Sequence, residues 1–239
     1  RFILRTLSFL LAVVAVCVAL VCTFPYNPNG YILAQADKMA ALADSTRPPA
    51  VVLLGGSTVA FGYNSPLIEA RTGRTVINCG LHASFGMKYI LDAATPLLRE
   101  GDVLVFVPEI DQFYDALPYG ELEFTDWLVA SGFEGASTLC WQQWWSVANN
   151  LPAHLRRRMD YWLYTTTGLA KEDVYRRNAF NRHGDVVAHW NDTETVFRFE
   201  GQRTFVTSWN ESFFSYYLGV LTALEQRGVR VIILPTPLA

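Results

Sequence analysis

Cysteine is scarce in this chain, with four in 239 residues. Cys17 and Cys22 fall inside one apolar run. The other two, Cys79 and Cys140, are too few for a disulfide framework and lack metal-ligand spacing, so each is expected as an isolated buried thiol. No metal site and no organic cofactor is implied. A net charge of −3 removes the basic excess that nucleic-acid binding requires. Internal repeats and low-complexity tracts are missing. Between its glycines, GGSTVAFG has neither the lysine of a P-loop nor a full Gly-x-Gly-x-x-Gly pattern, which weakens a phosphate-binding reading of that loop. The chain opens on Arg1 rather than Met and stops at Ala239 just past the strand-like run VRVIILPTP, so sequence is expected to be missing at both ends.

Apolar residues are abundant instead, at 51% of the chain. Thr6 to Phe24 is a run of nineteen residues without charge. At 1.5 Å per residue it makes a helix of roughly 28 Å, near the hydrocarbon thickness of a bilayer. Arg1 and Arg5 flank its amino end, which places the N-terminus in the cytoplasm and the rest outside. A cleaved signal peptide competes with this reading. No small-x-small site follows the run, and Val21 before Cys22 matches a lipoprotein signal poorly, so an uncleaved anchor over residues 1–24 is favoured. The expected location is an inner or plasma membrane, with a single pass and a periplasmic or extracellular domain.

Residues 25–49 read as a turn-rich exit, a helix from Tyr31 to Ala43 and a polar lead. Val51 to Leu54 then fits a short buried strand, broken by Gly55 and Gly56, with Ser57 at the mouth of the next helix. Strands are expected at Thr75 to Asn78, Val103 to Val107 and Val229 to Leu234, and helices at Gly86 to Leu98 and Glu211 to Gln226. Apolar runs alternating with helix-length segments indicate βαβ units and a parallel sheet over residues 50–239. A strand, a tight glycine turn and a serine at a helix start describe a nucleophile at the carboxyl edge of such a sheet.

The pattern changes at about residues 111–210, which hold all seven tryptophans and the basic runs Arg156-Arg157-Arg158 and Arg176-Arg177. We read this stretch as an insertion over the sheet edge, helical to about Asn150 and loop-like from Ala179 to Arg203. Its rings could stack on sugars, although core packing or a membrane-facing surface accounts for most of them.

Asn78-Cys79-Gly80 ends the second strand, and Glu109, Asp111 and Gln112 follow the third, all on the edge that carries Ser57. With these placements the chain resembles the SGNH, or GDSL-type, serine hydrolase superfamily. Gly55-Gly56-Ser57-Thr58 stands where that family has its nucleophile block, and Gly80 where it has its second-block glycine. GGSTVAFGYNS, NCGLHASFG, VPEIDQFY and FNRHGDVVAHW look more closely like membrane-anchored SGNH-like proteins of bacterial surface polysaccharides, relatives of D-alanine transfer and alginate O-acetylation proteins. The resemblance implies a three-layer α/β/α sandwich of SGNH or flavodoxin-like type. It implies Ser57 as nucleophile, and an oxyanion hole drawn from the N–H groups of Ser57 and Gly80 with Asn78 as a side-chain donor. The substrate would be O-acetyl or other acyl groups of a surface glycan, with the membrane and a membrane acyltransferase as partners.

The departures are specific. The family's aspartate is Gly56 here, and its Gly-x-Asn-Asp block is Pro108-Glu109-Ile110-Asp111. Asn78, Gln112 or a backbone amide would have to replace the missing asparagine donor. The Asp-x-x-His block is absent and is expected past Ala239. Within the chain, His82 lies near Gly80 and is weighed as the base. His189 follows Asp185 by four residues, the wrong spacing, and His154 and His183 read as surface residues among arginines. Glu109 and Asp111 form a possible carboxylate pair without any sugar signature, and Asp111 reads as a helix cap. The competing function is a non-catalytic glycan-binding or assembly protein that keeps the fold.

Overall fold

In the computed structural model, residues 1–168, 175–190 and 208–235 are described. Four parallel strands form one sheet: β1 (Val51–Gly55), β2 (Val76–Asn78), β3 (Val103–Val107) and β4 (Arg230–Ile233). Their order is β2-β1-β3-β4. The register pairs Val52 of β1 with Ile77 on one side and Leu104 on the other, and Leu104 with Val231.

Alternation along β1 sends side chains to two faces, and both are covered. Val52, Leu54, Ile77, Leu104 and Phe106 share a core with Leu42, Leu91, Phe213, Tyr217 and Leu224. Those partners come from α2 (Ala34–Ala43), α5 (Met87–Ala94) and α8 (Glu211–Gln226). On the opposite face Val51, Leu53, Val76 and Val107 pack with Val59 and Ile68, which belong to α3 (Ser57–Gly62) and α4 (Ser65–Thr72). The chain is therefore an α/β protein with helices on both faces of a parallel sheet.

The helix expected to end near Asn150 runs much further. After α6 (Leu122–Ala130), α7 spans Trp141–Thr167 with Pro152 inside it and closes on Gly168 in the left-handed conformation at φ 70°. The basic run Arg156 to Arg158 is therefore helical, and α6 and α7 pack Phe124, Trp127, Leu128 and Val147 against Tyr31, Leu81, Phe85 and Val186. The part of the loop-like segment that is described, 175–190, has a short 3₁₀ turn and isolated bridges only; the remainder to Arg203 lies outside the described residues.

The uncharged N-terminal run falls on α1 (Phe2–Thr23). Among the described residues no helix is long and apolar enough to cross a membrane, so the expected span gains no support from this measure. The side chains of Cys17 and Cys22 lie outside the described residues.

At the amino end of the sheet, Arg47 grips Asp102 with two bonds of 2.8 and 2.7 Å, and the N–H groups of Ala50 and Arg99 donate to the same carboxylate at 2.8 and 2.9 Å. Both side chains are buried. This clamp ties the entries of β1 and β3 together, far from the edge that carries Ser57.

Candidate functional site

The strand order reverses direction between β1 and β3, and in a parallel sheet the crevice forms outside the carboxyl ends of the strands at that point. β1 ends at Gly55, Gly56 caps α3, and Ser57 is the first residue of that helix, half-buried. A Cβ on Gly55 would stand 2.6 Å from both Val107 O and Val59 Cγ2. A Cβ on Gly56 would overlap the carboxylate of Glu109. Both glycines are thus demanded by close approach across the strand ends, at ordinary backbone angles. Glu109 fills the place a side chain at 56 would take, and the Thr58 hydroxyl donates to its Oε1 at 3.5 Å.

The proposed oxyanion donors are spent elsewhere. Asn78 is fully buried; its Oδ1 accepts from the Gly80 N–H at 2.9 Å, and its Nδ2 donates to Val59 O at 2.9 Å and Asp185 Oδ1 at 2.8 Å. Neither the Gly80 amide nor the Asn78 carboxamide is left for an oxyanion, which corrects both assignments. Gly80 has a different physical role. A Cβ there would sit 2.5 Å from Val59 Cβ and 2.8 Å from Ala60 N, so the glycine lets the strand exit pack on α3.

Asp185 is the centre of this network. It is fully buried, accepts from Ser65 Oγ at 2.5 Å and Ser65 N at 2.9 Å, and takes Asn181 Nδ2 at 3.1 Å. Beside it, Lys38 donates to Asn78 O at 2.8 Å and Gly184 O at 2.5 Å and lies over the Phe180 ring. Burial lowers the Lys38 ammonium to about 8. Burial likewise raises the Cys79 thiol to about 11, which keeps it protonated and inert. The motif FNRHGDVVAHW was legible in the sequence, but the partners of its aspartate were not.

Past β3, Asp111 lies within the short 3₁₀ helix Ile110–Phe113. The cap position is Glu109 and makes no side-chain cap bond, so Asp111 is not a helix cap. Gln112 is buried and its Oε1 accepts from the Met87 N–H at 3.1 Å, the first amide of α5, so the side chain braces that helix. The space bounded by Gly55, Gly56, Ala83, Met87, Phe106, Glu109 and Gln112 is about 10 Å³, room for at most one water.

The histidines divide unexpectedly. His154 is completely buried, not a surface residue, with Nδ1 2.6 Å from Asp126 Oδ1 and a buried Nε2 that has no hydrogen-bond partner. The ring lies on the inward stripe of α7 with Gln143 and Val147. His183 is also largely buried, its Nε2 3.3 Å from Glu69 Oε2. His189 packs on Phe61 with its buried Nδ1 unpartnered. His82 Nδ1 accepts from the Ser84 N–H at 3.2 Å. In the neutral ring that leaves the proton on Nε2, so His82 is set to donate a hydrogen bond and is badly set to take a proton from Ser57.

His82 also lines a cavity of about 480 Å³ with Tyr26, Tyr31, Glu123, Asp126, Arg157, Arg158, Tyr161 and Tyr175. The charged members of this set come from two helices and gave no sequence signal, because their meeting depends on how α6 crosses α7. Cys79 and Cys140 are free thiols, and among the described residues no group of three His, Cys, Asp or Glu could hold a metal ion. No family model, no curated protein and no solved structure matches this chain.

Proposed function

We propose that Ser57 is the nucleophile of an acyl-ester hydrolase or transferase, acting on O-acyl groups, acetyl foremost, of a cell-surface glycan. The observation that carries this reading is the position of Ser57: first residue of a helix, directly after β1, at the switch point of a parallel sheet, and half-exposed. In the proposed step Ser57 Oγ attacks the acyl carbon, the ester C–O bond breaks and the glycan hydroxyl leaves with the serine's proton; the acyl group then passes from Oγ to water or to a second hydroxyl, whose proton returns to Ser57. As the first helical residue, Ser57 has an N–H without an intrahelical acceptor, which suits a developing oxyanion. No described histidine hydrogen-bonds its hydroxyl, so turnover by this chain alone is expected to be slight.

In this reading α1 anchors the domain in a membrane and a membrane acyltransferase supplies the acyl group. Its support is the pair Arg1 and Arg5 before an uncharged run, and the exposure of apolar side chains from Phe2 to Val16.

The competing reading, a glycan-binding or assembly protein that keeps the fold, draws on the internal use of the Asn78 and Gly80 donors and on the closed edge. A serine-reactive fluorophosphonate separates the two. The first expects slow labelling that Ser57→Ala abolishes; no labelling, or labelling that survives Ser57→Ala, overturns it and leaves the binding protein.

A further inference from the structure

We infer that the 480 Å³ cavity between the exit segment, α6 and α7 is a binding subsite for a neutral carbohydrate. The inference deepens the proposed glycan chemistry and rests on it only through the step from His82, which lines the cavity, to Ala83, which approaches Gly56; the cavity itself is argued from its lining.

Its volume lies within the about 300–1,000 Å³ range of small-ligand sites. Arg157 and Arg158 oppose Glu123 and Asp126, so the fixed charges of the lining cancel. An anion therefore finds no net attraction there, and an apolar ligand would strip water from carboxylates and guanidinium groups without replacing their hydrogen bonds. A neutral polyhydroxyl ligand meets neither cost.

The polar groups are held in place. Asp126 is 3% exposed, and its two oxygens are held separately, Oδ1 by His154 at 2.6 Å and Oδ2 by Arg157. Arg157 also reaches Glu123 Oε1 at 3.1 and 3.2 Å. A carboxylate has about four acceptor directions, so both acids keep capacity for sugar hydroxyls. His82 supplies Nε2–H as a donor. His154 touches no cavity space and acts as a positioning residue, by orienting Asp126.

The aromatic groups complete the match. Tyr31 is buried and fixed by its hydroxyl to Leu81 O at 2.6 Å, while Tyr175 stands edge-on to it at 5.5 Å and is half-exposed at the rim. Such a ring can take the C–H face of a pyranose while the carboxylates take its hydroxyls. The next residue after His82 approaches the serine turn: a Cβ on Gly56 would lie 3.1 Å from Ala83 N. A sugar in the cavity is thereby held beside the chain segment that approaches Gly56, the residue before Ser57.

Calorimetric titration of the whole chain with cellobiose, maltose and N,N′-diacetylchitobiose tests the inference, with glucuronic acid and inorganic phosphate as anionic controls. Saturable binding of at least one neutral disaccharide is expected. It should weaken about tenfold in Tyr175→Ala, the loss of one stacking ring, and remain unchanged in Ser57→Ala. Asp126→Asn should weaken it further; Tyr175→Ala, at an exposed rim, keeps the test valid should Asp126→Asn fail to fold. No saturable binding of any of the three, tighter binding of glucuronate or phosphate, or binding indifferent to Tyr175→Ala overturns the subsite. Sugar binding without fluorophosphonate labelling supports the subsite while removing the acyl-ester reading, and labelling without sugar binding does the reverse.

Discussion

Position 56 shows how one missing side chain organises a sheet edge. The Glu109 carboxylate lies where a Cβ of residue 56 would begin, so the two positions compete for one space. Gly56→Asp should destabilise the chain by about 1–3 kcal/mol through overpacking. Glu109→Ala in the same chain should recover most of that loss. Urea unfolding of both single variants and the double variant measures the coupling, and additive effects would show that the two side chains do not share the space. At Asn78 the argument is about partners. Asn78→Ala strands the Gly80 N–H, Val59 O and one side of Asp185, all buried, and should cost about 3 kcal/mol or more. A loss under about 1 kcal/mol in the same assay would mean that water replaces the carboxamide.

At the scale of elements, two buried ions fasten segments that are distant in sequence. The Asp102 carboxyl is opposed by burial, yet the hydrogen bond from Arg47 and the N–H groups of Ala50 and Arg99 outweigh it and hold it below the usual aspartate range. A carboxyl lowered by folding stabilises above its unfolded value, and this is lost as pH falls through the folded one. Arg47→Met should therefore cost about 3–5 kcal/mol at neutral pH by stranding the carboxylate. The gap to the parent chain should narrow below about pH 4 as Asp102 protonates. Urea midpoints at both pH values decide it, and a gap that stays constant refutes the assignment. At Lys38 folding disfavours the charged form instead of favouring it, yet stability moves with pH in the same direction. Its ammonium is lowered from 10.5 to about 8, so the folded chain releases a proton that the unfolded chain still binds between those values. Stability should rise across that window, by a few kcal/mol at most. Lys38→Met should abolish the rise, read as the difference in urea midpoint between about pH 7.5 and 9.5.

For the whole molecule, the arrangement places the sheet's two ends under different demands: an ion-paired clamp at the amino end and a tightly packed glycine turn at the carboxyl end. The cover built by α6 and α7 meets the exit segment through Arg158, which donates to Phe24 O at 2.9 Å, and through Trp162 edge-on to Phe24 at 5.6 Å. The large cavity therefore opens beside the junction between α1 and the rest of the chain. If α1 is inserted with its arginines inside, a periplasm-dependent reporter fused after Ala43 should be active. Activity of a cytoplasm-dependent reporter at that point would remove both the orientation and the surface-glycan substrate.

What the sequence determined by itself is what depends on neighbours along the chain. β1 begins at Val51 and β3 spans Val103 to Val107 because short apolar runs bounded by turn residues pay little attention to the rest of the fold. α8 covers Glu211 to Gln226, capped by Asn210 through the Phe213 N–H at 2.9 Å, for the same local reason. The α/β class follows from the alternation of such runs. The tertiary structure alone decided which polar groups remain available. Gly80 and Asn78 read as donors until Asp185, 107 residues beyond Asn78, and the exit of β2 consume them. His154 reads as a surface residue among arginines until α7 turns it onto Asp126. Periodicity is written in consecutive residues, whereas the partner of a buried hydrogen-bonding group is chosen by chain crossings that no local pattern encodes.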